Sequence, residues 1–192
     1  MRGWDDLSAY DLHTGQLQWA CRLKHRSSIL VASLVSDEKY VYVLDGAGVR
    51  ALDLEALAEN REPVAWLTPA SGEKVASPVL ADGLLFFATD TGMAFCVDVD
   101  KKSIAWRHKL GGRFFSSAIA QGDSVVFVDE SGKVSVVARD RTFKLISQVD
   151  MGEKVYATPV PQADGMLIRG TTNLFYLKAR PANHQQIPSP TG

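Results

Sequence analysis

A repeated pattern of four short apolar segments is the feature of this sequence that most limits its fold. The pattern is most regular over residues 75–109, where the segments are Ser77–Ala81, Leu84–Ala88, Met93–Val97 and Ile104–His108. Each segment is too short for a typical helix, and the turns between them contain the Asp and Gly residues that hairpins favour. The sequence therefore predicts a four-stranded antiparallel sheet, which must pack against other sheets to bury its faces.

Two independent markers show that this unit recurs along the chain. A small hydroxyl residue occurs in the first segment at Ser33, Ser77, Ser117 and Thr158, at intervals of 44, 40 and 41 residues. A turn glycine precedes the third segment at Gly48, Gly92 and Gly132, at intervals of 44 and 40 residues. Because both markers move together, the chain contains an internal repeat, and four-stranded repeats of this length are typical of β-propeller blades.

The repeat divides the chain into five blade segments and a tail. The segments are 1–26, 27–73, 74–112, 113–152 and 153–178, and residues 179–192, polar and rich in proline, are predicted to be disordered. The first segment holds only the third and fourth strands and the last holds only the first three. The expected fold is thus an all-β propeller arc of about four blades, half of a seven- or eight-bladed ring. Because an open arc exposes strand edges, we expect a C-terminal fragment of a longer protein.

An aspartate and a tryptophan recur around the turn between the third and fourth strands. The pairs are Asp11 and Trp19, Asp53 and Trp66, and Asp98 and Trp106. The second pair is more widely spaced than the others, and the inserted residues fall within Glu55–Glu62, where a short helical turn is expected at the rim. In the fourth segment Ile146 is expected to replace the tryptophan, and the first strand of the second segment is expected at Leu30–Val35.

Composition and charge exclude several classes of protein. The 192 residues are 46% hydrophobic and 22% charged with a net charge of −1, which is ordinary for a globular protein with a sizeable core. Lys and Arg are scattered, so we expect no nucleic-acid partner. No apolar run approaches the ~20 residues of a membrane helix, so no membrane span is expected. The N-terminus lacks the features of a signal peptide, and the chain itself does not indicate its compartment.

The tryptophan motifs carry a specific resemblance. Residues 9–19, AYDLHTGQLQW, and more weakly residues 97–106, VDVDKKSIAW, resemble the repeat of pyrroloquinoline-quinone-like (PQQ-like) eight-bladed propellers. The resemblance covers about residues 7–178, whereas the Gly-His and Trp-Asp signatures of WD-type repeats do not occur. It implies that the tryptophans pack between blades and that the aspartates fix turns. The residues with this structural role are Asp11, Gly15, Trp19, Asp53, Trp66, Ser77, Asp98, Trp106, Ser117 and Thr158.

Two functions remain open at this point. The resemblance implies a non-catalytic scaffold, like bacterial PQQ-like repeat proteins and the barrel-assembly propeller lipoprotein, located outside the bacterial cytoplasm. Its partner would be another protein or the missing half of its own propeller. The alternative is a C-terminal fragment of a PQQ-dependent quinoprotein dehydrogenase, which would bind PQQ and calcium. Such enzymes carry an adjacent-cysteine disulfide, whereas Cys21 and Cys96 are 75 residues apart and are predicted to be free. No catalytic, cofactor or metal residues are therefore predicted, and the four histidines show no metal-ligand spacing.

Propeller geometry locates the candidate binding surface. Loops between the second and third strands and loops between blades emerge on the same face, and acidic residues occur there at Asp45, Asp90, Asp129 and Glu130. The best candidates for contact with a partner are Arg113, Phe114, Phe115 and Tyr156, because exposed arginines and aromatics form interface hot spots. The competing interpretation is that Phe115 and Tyr156 pack between blades.

Overall fold

The computed structural model describes residues 6–23 and 31–178, which form five antiparallel sheets and one short helix. Sheet 1 contains β1 (Asp6–Tyr10) and β2 (Leu17–Arg22). Sheet 2 contains β3 (Val35–Ser36), β4 (Tyr40–Asp45), β5 (Gly48–Asp53) and β6 (Val64–Pro69). Sheet 3 contains β7 (Val79–Ala81), β8 (Leu84–Ala88), β9 (Met93–Asp98) and β10 (Ser103–Lys109).

Sheets 4 and 5 follow the same order. Sheet 4 contains β11 (Ile119–Gln121), β12 (Ser124–Val128), β13 (Lys133–Ala138) and β14 (Leu145–Asp150). Sheet 5 contains β15 (Val160–Gln162), β16 (Gly165–Arg169) and β17 (Leu174–Lys178). Consecutive strands are neighbours in every sheet, so each sheet is a simple meander. The prediction of an all-β arc of propeller blades is confirmed. The tail predicted at 179–192 lies outside the described residues.

The helical turn predicted at the rim of the second blade is confirmed. Helix α1 spans Leu54–Ala58, and the Asp53 side chain caps it by accepting a hydrogen bond from the Ala56 amide at 3.0 Å. Capping by a carboxylate satisfies an amide that the first helical turn leaves without an internal partner. Leu57 is buried against sheet 1, so the insertion adds to the core between sheets 1 and 2.

The first strands of the blades begin later than the sequence pattern suggested. The strand expected at Leu30–Val35 is β3 at Val35–Ser36, and β7 begins at Val79, two residues after Ser77. The reason is that the amides of the hydroxyl residues bond to the neighbouring sheet and not to a strand of their own sheet. The predicted start at Leu30 lies outside the described residues.

These contacts form a ladder of hydroxyl residues from sheet to sheet. The Ser33 amide donates to the Ser77 hydroxyl at 2.8 Å, and the Ser77 amide donates to the Ser117 hydroxyl at 3.2 Å. The Ser117 amide in turn donates to the Thr158 hydroxyl at 3.1 Å. Each of these three bonds therefore connects one sheet to the next. We call this series the hydroxyl ladder.

Apolar side chains fill each space between neighbouring sheets. Between sheets 3 and 4 the core includes Phe86, Cys96, Trp106 and Phe127, and between sheets 2 and 3 it includes Trp66. Smaller clusters lie between sheets 1 and 2 and between sheets 4 and 5. Because every internal sheet is covered on both faces, burial of this apolar area is the main stabilising contribution to the arc.

The fourth blade departs from the expected tryptophan register. Ile146 is expected in the place of Trp106, but Ser147 pairs with Val136 as Trp106 pairs with Cys96, so Ile146 takes the bulge position that Ala105 has in β10. Ile146 falls in the bulge and is 51% exposed, whereas Trp106 is 7% exposed. From Val137 to its partner Leu145 the chain is one residue longer than from Val97 to its partner Ile104, which shifts the register by one position.

Candidate functional site

The loops that the sequence placed on one face do lie together. Three backbone hydrogen bonds join a loop between second and third strands to the preceding loop between sheets. They run from Asp90 N to Glu73 O at 3.0 Å, from Glu130 N to Arg113 O at 2.7 Å and from Thr171 N to Lys154 O at 3.0 Å. The same bond thus recurs at equivalent positions of three repeats. We call the surface formed by these loops the loop face.

An aromatic and charged cluster lies on the loop face between sheets 4 and 5. The Arg113 guanidinium lies over the Phe115 ring, 5.5 Å from its centroid, and the Phe115 and Tyr156 rings are 5.8 Å apart. Arg113 is exposed, Phe115 is half-buried and Tyr156 is 47% exposed. A guanidinium over an aromatic face is held by a cation–π interaction, so these three side chains form a continuous patch.

Glu130 ties this patch to the neighbouring loop. Its carboxylate accepts hydrogen bonds from the Tyr156 hydroxyl at 3.1 Å and from the Lys154 ammonium at 3.3 Å. These two donors hold the pKa of Glu130 below its usual value, and the carboxylate raises the pKa of Lys154. We define the loop-face cluster as Arg113, Phe115, Glu130, Lys154 and Tyr156.

Phe114 is removed from the candidate surface by the structure. It is 1% exposed and packs with Phe127 in the core between sheets 3 and 4. Its neighbour Phe115 points to the other side of the chain and reaches Tyr156. The inclusion of Phe114 among surface residues was therefore wrong, because adjacent residues of extended backbone face opposite sides. The other three candidates, Arg113, Phe115 and Tyr156, lie together on the loop face.

The sequence places Lys74 with the other residues of the loops between blades, but the structure buries it at the equivalent of Phe114. Counted from the hydroxyl marker, Lys74 occupies the position of Phe114 and Val155, and like them it is buried, at 4% exposure. Its ammonium donates to Ala70 O at 2.8 Å and to Gly72 O at 2.7 Å. Burial lowers the pKa of Lys74. Alignment of the repeats would have detected this residue, because Lys74 carries a charge at a position that is apolar in the other repeats.

Two of the acidic residues expected on the loop face are buried. Asp45 is 4% exposed and accepts hydrogen bonds from Ala47 N at 2.8 Å and Gly48 N at 3.1 Å. Asp129 is 1% exposed and accepts from Gly112 N at 2.8 Å and from the Ser131 hydroxyl at 2.6 Å. Both carboxylates hold turns and are not available to a partner.

The signature aspartates also bind turns. Asp11 accepts from the Thr14 amide at 2.8 Å, and Asp98 accepts from the Lys101 amide at 3.0 Å. Asp98 additionally accepts from the Arg141 guanidinium of sheet 4 at 2.7 Å, which adds a charged contact between blades. Burial alone would raise the pKa of Asp98, but these donors outweigh burial and hold it below its usual value.

The described residues do not fit a quinone and calcium site. They contain no group of three His, Cys, Asp or Glu side chains placed to hold a metal ion. Cys21 and Cys96 are not joined in a disulfide, and burial raises the pKa of the Cys96 thiol to about 12, which makes it unreactive. Across residues 6–23 and 31–178 there is also no helix of the length and apolarity that a membrane span requires.

Comparisons with known proteins agree with this architecture. The family model described as outer membrane protein assembly factor BamB matches residues 4–154. Outer membrane protein assembly factor BamB of Yersinia pestis is 27% identical in an alignment 168 residues long, which covers 80% of this chain and 41% of that protein. The crystal structure of BamB from Moraxella catarrhalis aligns with a TM-score of 0.69 at 13% identity, covering 87% of this chain and 50% of that one.

The crystal structure of a computationally designed protein, Ika8, aligns with a TM-score of 0.71 at 13% identity. The alignment covers 87% of this chain and 50% of Ika8. The chain thus spans about half the length of the relatives that it matches. The sheet order, the repeat and the family match lead to one conclusion. The chain belongs to the PQQ-like propeller family described as outer membrane protein assembly factor BamB.

Proposed function

We propose that the chain is a non-catalytic propeller scaffold that acts in outer membrane protein assembly by holding another protein on its loop face. The observation that carries this proposal is the loop-face cluster, in which Arg113, Phe115 and Tyr156 form one accessible patch. Arginine and tyrosine are enriched among the residues that dominate binding energy at protein interfaces. The family membership supports the process, and the membership also supports a location outside the bacterial cytoplasm.

The chemistry of the cluster defines the kind of partner surface. Glu130 already binds Lys154 and Tyr156, and the nearby Arg113 also helps to lower its pKa. Among the described residues the Arg113 guanidinium lies over the Phe115 ring and forms no ion pair of its own, so it is the cation that the cluster offers to a partner. The ring surfaces of Phe115 and Tyr156 lie beside it. A partner that places a carboxylate next to an apolar side chain would satisfy both features, because a guanidinium binds carboxylates through two parallel hydrogen bonds.

Site-specific cross-linking tests this proposal. A photoreactive amino acid replaces Tyr156 in the chain, which is exported to the periplasm of a Gram-negative host. The control carries the same group at Leu67, a 39% exposed position on the outer strand of sheet 2. We expect an adduct at position 156, and not at 67, with one protein of the outer membrane assembly pathway. No adduct above the level at position 67 would contradict the proposal.

Charge reversal then measures the contribution of the cluster. With the purified partner, Arg113→Glu is expected to raise Kd at least tenfold, about 1.4 kcal/mol, because it places a carboxylate against a carboxylate. Lys144→Glu is the matched control, since Lys144 is exposed at the opposite end of sheet 4. Equal effects of the two substitutions would show that only long-range charge matters and that the cluster is not the binding site.

A further inference from the structure

A groove opens on the loop face between sheets 2 and 3, whereas the loop-face cluster lies between sheets 4 and 5. Its volume is about 410 Å³, and small and apolar residues line it together with one charged side chain. We call it the loop-face groove, and its lining includes Gly46, Ala47, Ala70, Phe95, Ile104 and Arg107. Concave, mostly apolar sites with a few polar groups are typical of ligand sites. The loop-face groove therefore has the composition of a binding site.

The equivalent position between sheets 3 and 4 is bridged by a side chain. There the Gln148 Nε2 of β14 donates to Leu110 O at 3.3 Å and to Ser135 Oγ at 2.8 Å. Arg107 is the equivalent of Gln148, because each pairs with the third residue of the third strand in its sheet. The side chain that spans two sheets at one interface thus lines an open groove at the other.

Two substitutions within the repeat account for the open groove. Ala70 is the equivalent of Leu110, since each directly follows the outer strand of its sheet. Alanine in the place of leucine leaves volume that the neighbouring side chains do not fill. The Ala70 carbonyl also accepts a hydrogen bond from the buried Lys74 ammonium at 2.8 Å. Lys74 therefore takes the carbonyl that corresponds to the acceptor of Gln148, and Arg107 is left at the groove.

Arg107 is the uncompensated charge of the loop-face groove. It is exposed, and in the part of the chain that the structure describes no ion pair involves it. Asp45, which precedes the turn that lines the groove, is 4% exposed and already paired with the Arg50 guanidinium. The groove thus presents a guanidinium beside apolar surface, and the chemistry that complements it is a carboxylate next to an apolar side chain.

We propose that the loop-face groove binds an extended segment of a partner protein in which an apolar side chain is adjacent to Asp or Glu. The apolar side chain lies in the groove beside Ile104, and the carboxylate binds Arg107. The segment is extended because a helix, about 10–12 Å in diameter, is too wide for a groove of about 410 Å³. This inference rests on the proposed function, since it gives the protein held at the loop-face cluster a second contact on the same face.

Titration with short peptides tests the chemistry of the groove. The probe is acetyl-Gly-Leu-Glu-Gly-amide, added to the isotope-labelled 192-residue chain and followed by nuclear magnetic resonance. We expect saturable shifts of the Gly46, Ala47 and Ser71 amide signals with a Kd in the millimolar range, because only a few residues bind. Peptides with Gln for Glu, or with Ala for Leu, should bind at least tenfold more weakly. No saturable shift at the groove, or equal binding of the three peptides, would overturn the proposal.

A substitution taken from the repeat itself tests the role of the guanidinium. Arg107→Gln introduces the side chain of the equivalent Gln148 at an exposed position, so the variant should keep the wild-type circular dichroism spectrum. It should raise the Kd of the Gly-Leu-Glu-Gly peptide at least tenfold. Lys144→Gln removes the same charge at an exposed position away from the groove and should leave this Kd unchanged. Equal effects would show that only net charge matters, which contradicts a site at Arg107.

Cross-linking separates this inference from the proposed function. A photoreactive amino acid at Ser71, an exposed residue of the groove, is expected to capture the same protein as at Tyr156, and Arg107→Gln should weaken that adduct. An adduct at position 156 without one at 71 would overturn the groove proposal and leave the proposed function standing. An adduct at 71 alone would support the groove and contradict the loop-face cluster as the contact. An adduct of the chain with a second copy of itself at 71 would also overturn the groove proposal.

Discussion

Two tryptophans in equivalent positions provide a matched test of the hydrogen bonds between blades. Trp66 and Trp106 are 8% and 7% exposed, and each indole contacts two further aromatic rings. The Trp106 Nε1 donates to the Asp140 carbonyl of the next sheet at 2.9 Å. The Trp66 Nε1 is buried, and no described residue accepts a hydrogen bond from it. Replacement of each by phenylalanine removes a similar apolar area but changes the polar contacts in opposite directions.

The expected difference follows from the cost of unpaired polar groups. Trp106→Phe removes a hydrogen bond with a net value of about 1 kcal/mol and leaves the Asp140 carbonyl without this donor. Trp66→Phe removes an N–H group whose burial without a partner costs about 1–3 kcal/mol. If the loss of apolar area is equal, Trp106→Phe should lower the free energy of unfolding by about 2–4 kcal/mol more than Trp66→Phe.

Urea unfolding followed by far-ultraviolet circular dichroism measures this difference without relying on tryptophan fluorescence. The two variants should have equal m-values, which shows that they expose the same surface on unfolding. Equal destabilisation, or greater destabilisation by Trp66→Phe, would refute the reasoning, because the indole N–H groups would then contribute nothing distinct to blade packing.

Three further outcomes are expected from other contacts. Ser77→Ala and Ser117→Ala each remove an acceptor of the hydroxyl ladder. In the same urea assay each should lower the free energy of unfolding by about 0.5–1.5 kcal/mol. Ser147→Ala changes an exposed serine and should have little effect. Burial alone would raise the pKa of Asp129, but the Ser131 hydroxyl and neighbouring amides hold it below 3.8. Its stabilising effect is present above that pH, so the difference between wild type and Asp129→Asn should shrink as pH falls from 3.8 through the lower pKa of the folded state. Burial lowers the pKa of Lys74 from 10.5, so the unfolded state binds more protons in that alkaline range. Wild type should therefore gain stability relative to Lys74→Met as pH rises towards 10.5, and a constant difference would show that Lys74 does not titrate abnormally.

The repeat made most of the fold predictable, because side-chain spacing reports the strand pattern directly. The marker glycines illustrate the physical basis. Gly92 and Gly132 have φ angles of 82° and 92°. A Cβ at either position would collide with a backbone carbonyl of the loop that leads to the next sheet. Such a position is restricted to glycine, so its recurrence in the sequence identifies the same turn in each blade.

The details that escaped prediction depend on three-dimensional contacts or on single-residue shifts. Side chains alternate between the two sides of the loop that holds Phe114 and Phe115. The local sequence does not determine which of the two faces the core, because the loop is irregular. One extra residue before β14 moves Ile146 into the bulge and Ser147 into the tryptophan position, a shift that the spacing alone does not reveal. The hydroxyl ladder joins residues about 40 apart, and the loop-face cluster combines residues from three loops. Neither arrangement is local in sequence.

The backbone hydrogen bond that recurs on the loop face holds the loops in place independently of their side chains. Its acceptor carbonyls belong to Glu73, Arg113 and Lys154, so the same main-chain position carries a negative charge in one blade and a positive charge in two others. Because the bond uses no side-chain atom, side chains at these positions can be exchanged without altering the loop path. The loop face therefore combines a constant backbone arrangement with side chains that vary from one repeat to the next. Relatives with the same frame can acquire different binding specificities by substitution at these positions alone.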